Sequence, residues 1–256
     1  MRATVWLLIV LLGTAGCAAL PPGPALTVFA ASSLAGPLEE LGALHELRGR
    51  QAVRLHAGAS GTLGRQLREG APADVFISAD ERVFDSLAAS GVIDPASRTI
   101  IAINRLALVI PAQSPPAPTA DILANVALRI GVGDPDVVPV GRYAREWLEA
   151  HGVWSLLLTQ RRLVLAPSAQ AVLAHVRAGA TDAAVVFRSD AVTARDLRVI
   201  EEVAVEATSP IRYVGGVVSA SRSRQAATIY LDILAGPEGQ RVLADAGFLP
   251  REPDRR

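Results

Sequence analysis

The sequence predicts an α/β protein of two lobes, each a mostly parallel sheet flanked by helices, and three observations lead there. Short apolar and β-branched runs alternate with helical patterns along most of the chain. Several of the junctions from strand to helix are built of small or hydroxyl-bearing residues. The last two helical patterns have no strand after them, so they must pack onto a sheet laid down earlier in the chain.

The elements follow in order. Leu26 to Phe29 reads as a strand, followed by a helix with Leu34, Leu38, Leu41 and Leu44 on one face. Val53 to His56 is a second strand, followed by a short helix carrying Leu63 and Leu67. Val75 to Ile77 is a third, and Val83, Phe84 and Leu87 face inward from the helix after it. A strand from Leu106 to Ile110 meets Pro111 and a Pro-rich loop through Pro118, which stops the run. Strands then resume at Leu128 to Val132, Leu163 to Leu165 and Ala184 to Phe187. Tyr213 to Val218 is one more, before helices around Ile229 to Ile233 and Val242 to Leu243. No fixed-period repeat is found. The unpartnered final helices imply that both chain ends share a lobe. The expected division is lobe I from 26–105 and 212–256, and lobe II from 106–211, with crossings near Ile103 to Ile110 and Ser209 to Val217.

The N-terminus is a separate matter. Met1-Arg2, an apolar run from Ala3 to Leu12 and the small residues Gly13 to Gly16 read as a signal peptide over 1–17. The apolar core falls short of the roughly 20 residues a membrane-spanning helix needs. Cys17, the single cysteine of the 256 residues, follows Ala15-Gly16 in a pattern that resembles a bacterial lipobox, and is the expected lipidation site. Residues 18–25 are a Pro-rich spacer. One cysteine excludes an intrachain disulfide, so the fold must rest on its core.

Charge narrows the function. The formal net charge is zero, with 25 basic residues against 25 acidic; every basic residue is Arg and none forms a run, which argues against nucleic acid as a partner. His45, His56, His151 and His175 make no metal-ligand spacing with one another or with Cys17. Asp134 and Asp136 suit a turn better than a cation, and Asp182 and Asp190 flank a strand. Gly58 to Thr62 matches a hydrolase elbow only in part, since Thr62 replaces the final Gly, and no His can be paired with Ser33 or Ser60 from the sequence. A regulator built on the same lobes would need a fused DNA-binding or signalling domain, whereas this N-terminus is given to export.

The junctions carry more. Ala30 to Ser33 precedes Leu34, Gly58 to Thr62 precedes Leu63, Asp134 to Gly141 precedes Arg142, and Pro167 to Ala169 precedes the helix with Val172, Leu173 and Val176. The first N–H groups of a helix lack intrahelical partners, and the aligned peptide dipoles place partial positive charge there, so such ends attract anions. Any one of these junctions is equally an ordinary N-cap. Together they outline a binding cleft.

The stretches TVFAASSL (Thr27 to Leu34), GASGTLGRQLREGAPADVFISAD (Gly58 to Asp80), VGDPDVVPVGRYA (Val132 to Ala144), VVFRSDA (Val185 to Ala191) and LAGPEGQRVLADAGF (Leu234 to Phe248) resemble the periplasmic molybdate-binding proteins of ABC transporters. The resemblance implies a type II periplasmic-binding fold whose lobes close on a dehydrated tetrahedral oxyanion, molybdate or tungstate, with sulfate or phosphate as the alternative. It implies no enzyme activity, no cofactor and no metal beyond the bound anion. It also implies an ABC permease as partner, a monomer in the periplasm or cell envelope, and membrane contact only through the lipid on Cys17. By matching position, the ligand contacts would be Ser33, Ser60, Val140, Ala169 and Phe187, with Val140 and Ala169 acting through backbone N–H groups. The family carries Tyr at the last position, so Phe187 lacks a hydroxyl that would reach the ligand. Ser168 is the substitute if Ala169 is misplaced.

Overall fold

The structure is a computed structural model that describes residues 25–47 and 50–251. The signal peptide, Cys17 and nearly all of the spacer lie outside the described residues.

Strand β1 (Leu26–Ala31) is buried along almost all of its length, which is what a continuous apolar run gives when helices cover both faces of a sheet. β2 (Val53–Gly58) alternates half-buried and exposed positions, as suits an edge. These pair in parallel with each other, and β1 pairs in parallel with β3 (Val75–Ser78). β10 (Ile211–Val217) runs antiparallel between β3 and β4 (Thr99–Asn104), completing the order β2-β1-β3-β10-β4.

The second sheet repeats that plan. β6 (Ile130–Gly133) pairs in parallel with β7 (Leu163–Ala166) and with β8 (Ala183–Phe187). β5 (Leu106–Pro111) runs antiparallel between β8 and β9 (Leu197–Glu202), giving β7-β6-β8-β5-β9. In both sheets four strands share a direction and one opposes them, so each sheet is mixed. The opposing strand in each case, β10 or β5, is the one that enters after the chain has crossed from the other lobe. Arg105 alone separates β4 from β5, and 203–210 carries the chain from β9 back to β10.

Helices cover both faces, and the alternation of side chains along each strand decides which face a residue serves. Phe29, Phe76 and Val214 point to the side where α2 (Ser60–Arg68) and α3 (Glu81–Ala89) bring Leu63, Leu67, Phe84 and Leu87. Val28, Ala30, Val75, Ile77 and Tyr213 point to the side of α1 (Ala35–Leu47), α9 (Arg224–Ala235) and α10 (Pro237–Asp245). In the second sheet, Val109, Ala184 and Val186 meet α7 (Ala169–Arg177) and α8 (Arg188–Thr193). Leu108, Ile130, Val132 and Val185 share their cluster with α4 (Thr119–Ala124), α5 (Pro139–Ala150) and α6 (Trp154–Thr159). That cluster is continuous with the core of the first lobe through an aromatic chain, Tyr143 to Phe187 to Tyr213 to Phe248, with ring centroids 6.4, 5.8 and 5.2 Å apart.

Strands β4 and β9 are not separable in the sequence. β4 reads on through Arg105 into β5 as one apolar run, and β9 is an edge strand whose charged residues (Arg198, Glu201, Glu202) hide its alternation. Helix α5 begins three residues before Arg142, because Pro139 is preset for the first helical position. This brings Val140 into the first turn. No helix among the described residues is long and apolar enough to cross a membrane.

Candidate functional site

The carboxyl ends of β1, β2, β6, β7 and β8 aim at the seam between the lobes, and each passes its chain into a helix start there. Ala31, Ser32, Ser33, Gly58, Ala59, Ser60, Ala79, Val138, Pro139, Ala169 and Phe187 enclose a cavity of about 10 Å³ at that seam. This is space for roughly one water molecule. Ser33, Ser60, Ala169 and Phe187 are therefore brought together around one point. Val140 is fully buried and follows Pro139 in the first turn of α5, but it is not among the residues that line the cavity. Wider hollows exist at the crossings, about 600 Å³ between Ile103 and Pro250, and beside Asp74, about 610 Å³. Neither is lined by these residues or by converging helix starts.

The helix starts leave donors unused. Ala31 before the 3-10 turn Ser32–Leu34, Ala59 before α2 and Val138 before α5 lack a side-chain cap, whereas the first two N–H groups of α8 are taken by Arg105 O and Asn104 Oδ1. The first-turn N–H groups behind the three uncapped residues have no intrahelical acceptor. Ser168 does cap α7, its Oγ accepting from Ala171 N at 3.1 Å, so its hydroxyl is engaged with its own helix. Nothing bulky intervenes, since the cap residues at three of these turns are Ala or Val.

The two serine hydroxyls are held from behind. Ser60 is fully buried and its Oγ accepts from Ala79 N at 3.1 Å; a backbone N–H can only donate, so the Ser60 proton is left for another acceptor. Ser33 Oγ lies 2.8 Å from the hydroxyl of Tyr213, which also accepts from Asn104 Nδ2 at 3.4 Å. Tyr213 is fully buried, and burial holds its pKa well above the ordinary tyrosine range. Its hydroxyl therefore stays protonated at neutral pH.

Other groups tie the lobes together around the cavity. Arg142 Nε donates to Asp80 Oδ2 at 2.7 Å, with the two side chains only 12% and 7% exposed. Asp80 caps α3 by accepting from Arg82 N at 2.9 Å, so one carboxylate serves both a helix end and an ion pair across the cleft. Arg142 also pairs with Glu146 at 2.5 Å and lies 3.8 Å over the Tyr143 ring. Burial works against its charge, but Tyr143, Asp80 and Glu146 together raise its pKa above the usual arginine value. Glu146 Oε2 accepts from Ser209 N at 2.9 Å, and Tyr143 donates to Pro210 O at 3.2 Å, so α5 is anchored to the returning crossing. Gln170 Nε2 donates to Ser32 O at 3.4 Å. At Gly61 the lobes come so close that a Cβ would stand 2.9 Å from Val137 O, which only glycine tolerates.

Tyr213, Asn104, Asp80 and Arg142 are invisible to a reading of the sequence. Tyr213 lies within β10 and Asn104 ends β4, with nothing in the local pattern to mark either, and the Asp80 to Arg142 pair spans 62 positions. Of the carboxylates weighed for a cation, Asp134 Oδ1 accepts from Asp136 N at 3.0 Å in a turn and Asp182 Oδ2 accepts from Arg129 N at 2.7 Å. Among the described residues no group of three or more His, Cys, Asp or Glu could hold a metal.

Comparison with known proteins adds independent observations. A family model described as bacterial extracellular solute-binding protein matches residues 26–249. The molybdate-binding protein ModA of Escherichia coli (strain K12) is 31% identical over 229 residues, covering 87% of this chain and 88% of that protein. YvgL of Bacillus subtilis (strain 168), provisionally named an ABC transporter substrate-binding lipoprotein, is 30% identical over 225 residues, 87% of this chain and 85% of that one. Among solved structures, the periplasmic molybdate-binding protein of Azotobacter vinelandii superposes with a TM-score of 0.80 at 25% identity, over 89% of this chain and all of its own.

Proposed function

Because this chain belongs to the family of bacterial extracellular solute-binding proteins, we propose that it captures molybdate, or the closely similar tungstate, in the cavity between its lobes and delivers it to an ABC importer. The observation that carries this reading is the convergence of three helix starts without side-chain caps, and two serine hydroxyls, on one small enclosed point. Such a point offers donors and no formal charge of its own. The anion would lie among N–H and O–H groups that replace its water, with Ser33 and Ser60 donating from lobe I (26–105 and 212–256). From lobe II (106–211), the backbone N–H groups of Val140 and Ala169 complete the shell, and Phe187 closes one wall.

Hydrogen bonds to a charged partner contribute roughly 1.5–3 kcal/mol each. Several of them reach a micromolar Kd, about −8 kcal/mol, after the costs of closure and immobilisation. Space for about one water is too small for a tetrahedral oxyanion, so capture requires the lobes to part at the crossings and close again around it.

The protein acts as a carrier with no catalytic step. That none of the four histidines lines the cavity supports this reading, since a serine nucleophile is activated by an adjacent base. No cofactor enters the mechanism. We place the protein as a monomer in the periplasm or cell envelope, held to the membrane by lipid on Cys17, with an ABC permease as its partner. The lipoprotein name of the Bacillus relative supports the anchor.

Calorimetric titration with molybdate, tungstate, sulfate and phosphate tests the assignment. Molybdate and tungstate should bind with similar, micromolar or tighter affinity and the others far more weakly. Sulfate or phosphate binding as tightly as molybdate would refute it.

A further inference from the structure

Resting on the reading of Ser33 as an anion contact, we propose that Asn104 and Tyr213 form a one-way hydrogen-bond relay that aims the Ser33 hydroxyl proton into the cavity, which makes Tyr213 a positioning residue for anion capture. The direction follows from which atoms can donate. Asn104 Oδ1 accepts from Arg105 N at 2.9 Å and from Ser189 N at 3.4 Å. Two backbone donors on one side set the orientation of the amide, since a flipped amide would bring its own N–H groups against them. Nδ2 therefore faces Ser189 Oγ at 2.9 Å and the Tyr213 hydroxyl at 3.4 Å, and toward both it can only donate.

The Tyr213 oxygen, having accepted from Asn104, has one proton to place. Its remaining partner is Ser33 Oγ, 2.8 Å away. Ser33 then accepts from Tyr213, and its own proton has no other partner among the described residues than whatever occupies the cavity it lines. Ser60 reaches the same state by a different route, with Ala79 N as the fixed donor behind it. Both hydroxyls are thus committed as donors before an anion arrives. Burial keeps Tyr213 in its neutral, donating form, and hydrogen bonds in such chains strengthen one another.

The relay also depends on how the lobes sit. Asn104 ends β4 and Tyr213 lies on β10, the two strands at the crossings, while Ser189 belongs to α8 of the second lobe. The Asn104 amide is held on both its oxygen and its nitrogen by Ser189. Its orientation, and through it the direction of Ser33, is secured when α8 is docked in this arrangement.

A double-mutant cycle on Ser33 and Tyr213, read by titration with sodium molybdate, tests the relay. Ser33→Ala and Tyr213→Phe should each weaken binding by about tenfold. The double variant should bind no worse than Ser33→Ala alone, within about twofold, because Tyr213 acts through a single hydroxyl. A tyrosine that merely supports its strand would add its own loss in both backgrounds. If Ser33→Ala binds like wild type, or if Ser33→Ala is weakened and Tyr213→Phe is not, the relay is wrong while the proposed function stands. Wild-type protein that takes up no molybdate overturns both. Tyr213→Phe alone leaves Asn104 and Ser33 without their partner; if it does not fold, Ser33→Ala compared with the double variant decides, since the double removes both ends of one bond. A further loss beyond about twofold in that comparison overturns the relay.

Discussion

Phe187 stands where the resembled family carries tyrosine, at the mouth of α8 with its ring packed between Tyr143 and Tyr213. Phe187→Tyr adds a hydroxyl to a ring whose seat already exists, so it should tighten molybdate binding by about tenfold with little change in thermal stability. Paired titrations at one pH and salt concentration measure it; a variant that folds normally and binds no tighter means the ring edge does not face the anion. Three residues along, Asp190 is a carboxyl almost wholly removed from water, with Oδ2 lacking any hydrogen-bond partner. Burial pushes its pKa from 3.8 up to about 7, against a weaker opposing pull from Arg177. The folded protein therefore binds more protons than the unfolded chain between about pH 4 and 7, and this residue's contribution to stability is lost as pH rises through that window. Asp190→Asn should abolish that dependence. Its melting temperature should match wild type at pH 4 and exceed it at pH 8, and parallel melting curves across this range would show that the carboxyl is not buried as described.

At the scale of elements, α5 does the most to join the lobes. Its start at Val138 and Pro139 lines the cavity, its Arg142 reaches Asp80 across the cleft, and its Tyr143 and Glu146 hold the returning crossing. Its start is pressed against β6, where a Cβ on Gly141 would meet Gly133 O at 2.1 Å, so the helix cannot shift without moving the sheet. Removing one partner of a buried ion pair costs more than the pair is worth, because the other charge stays desolvated. Opening the cleft returns Asp80 to water, so here the cost falls on closure. Arg142→Met should weaken molybdate binding by about tenfold or more, while the melting temperature without ligand changes little. Equal affinities for variant and wild type would show that the pair is not part of closure.

For the whole molecule, both crossings line one hollow, Ile103 to Arg105 on one side and Val205 to Arg212 on the other, and hinge closure about them is the motion that the proposed capture requires. Molybdate at a hundred times its Kd should stabilise the protein by about 2.7 kcal/mol, seen as a rise in melting temperature. Small-angle X-ray scattering should record a smaller radius of gyration on saturation. A molybdate-saturated protein with an unchanged radius would mean that the anion enters without movement of the lobes.

The division between what the sequence determined and what the tertiary structure decided follows the range of the interactions. The α/β class, the strand-to-helix junctions and the place of Ser33 and Ser60 at helix starts were legible because they depend on neighbours within a few positions: apolar alternation, small residues at a turn, a hydroxyl at a helix start. The opposing directions of β5 and β10 were not legible, because direction is set by where the chain re-enters a sheet after crossing. Nor were β4 and β9, whose apolar and charged runs carry no clear period. The partners of the site lay furthest out of reach. Tyr213 meets Ser33 across 180 positions, and Arg142 meets Asp80 across 62. No local pattern encodes such a meeting; only the packing of two sheets at one seam brings those atoms within hydrogen-bond distance.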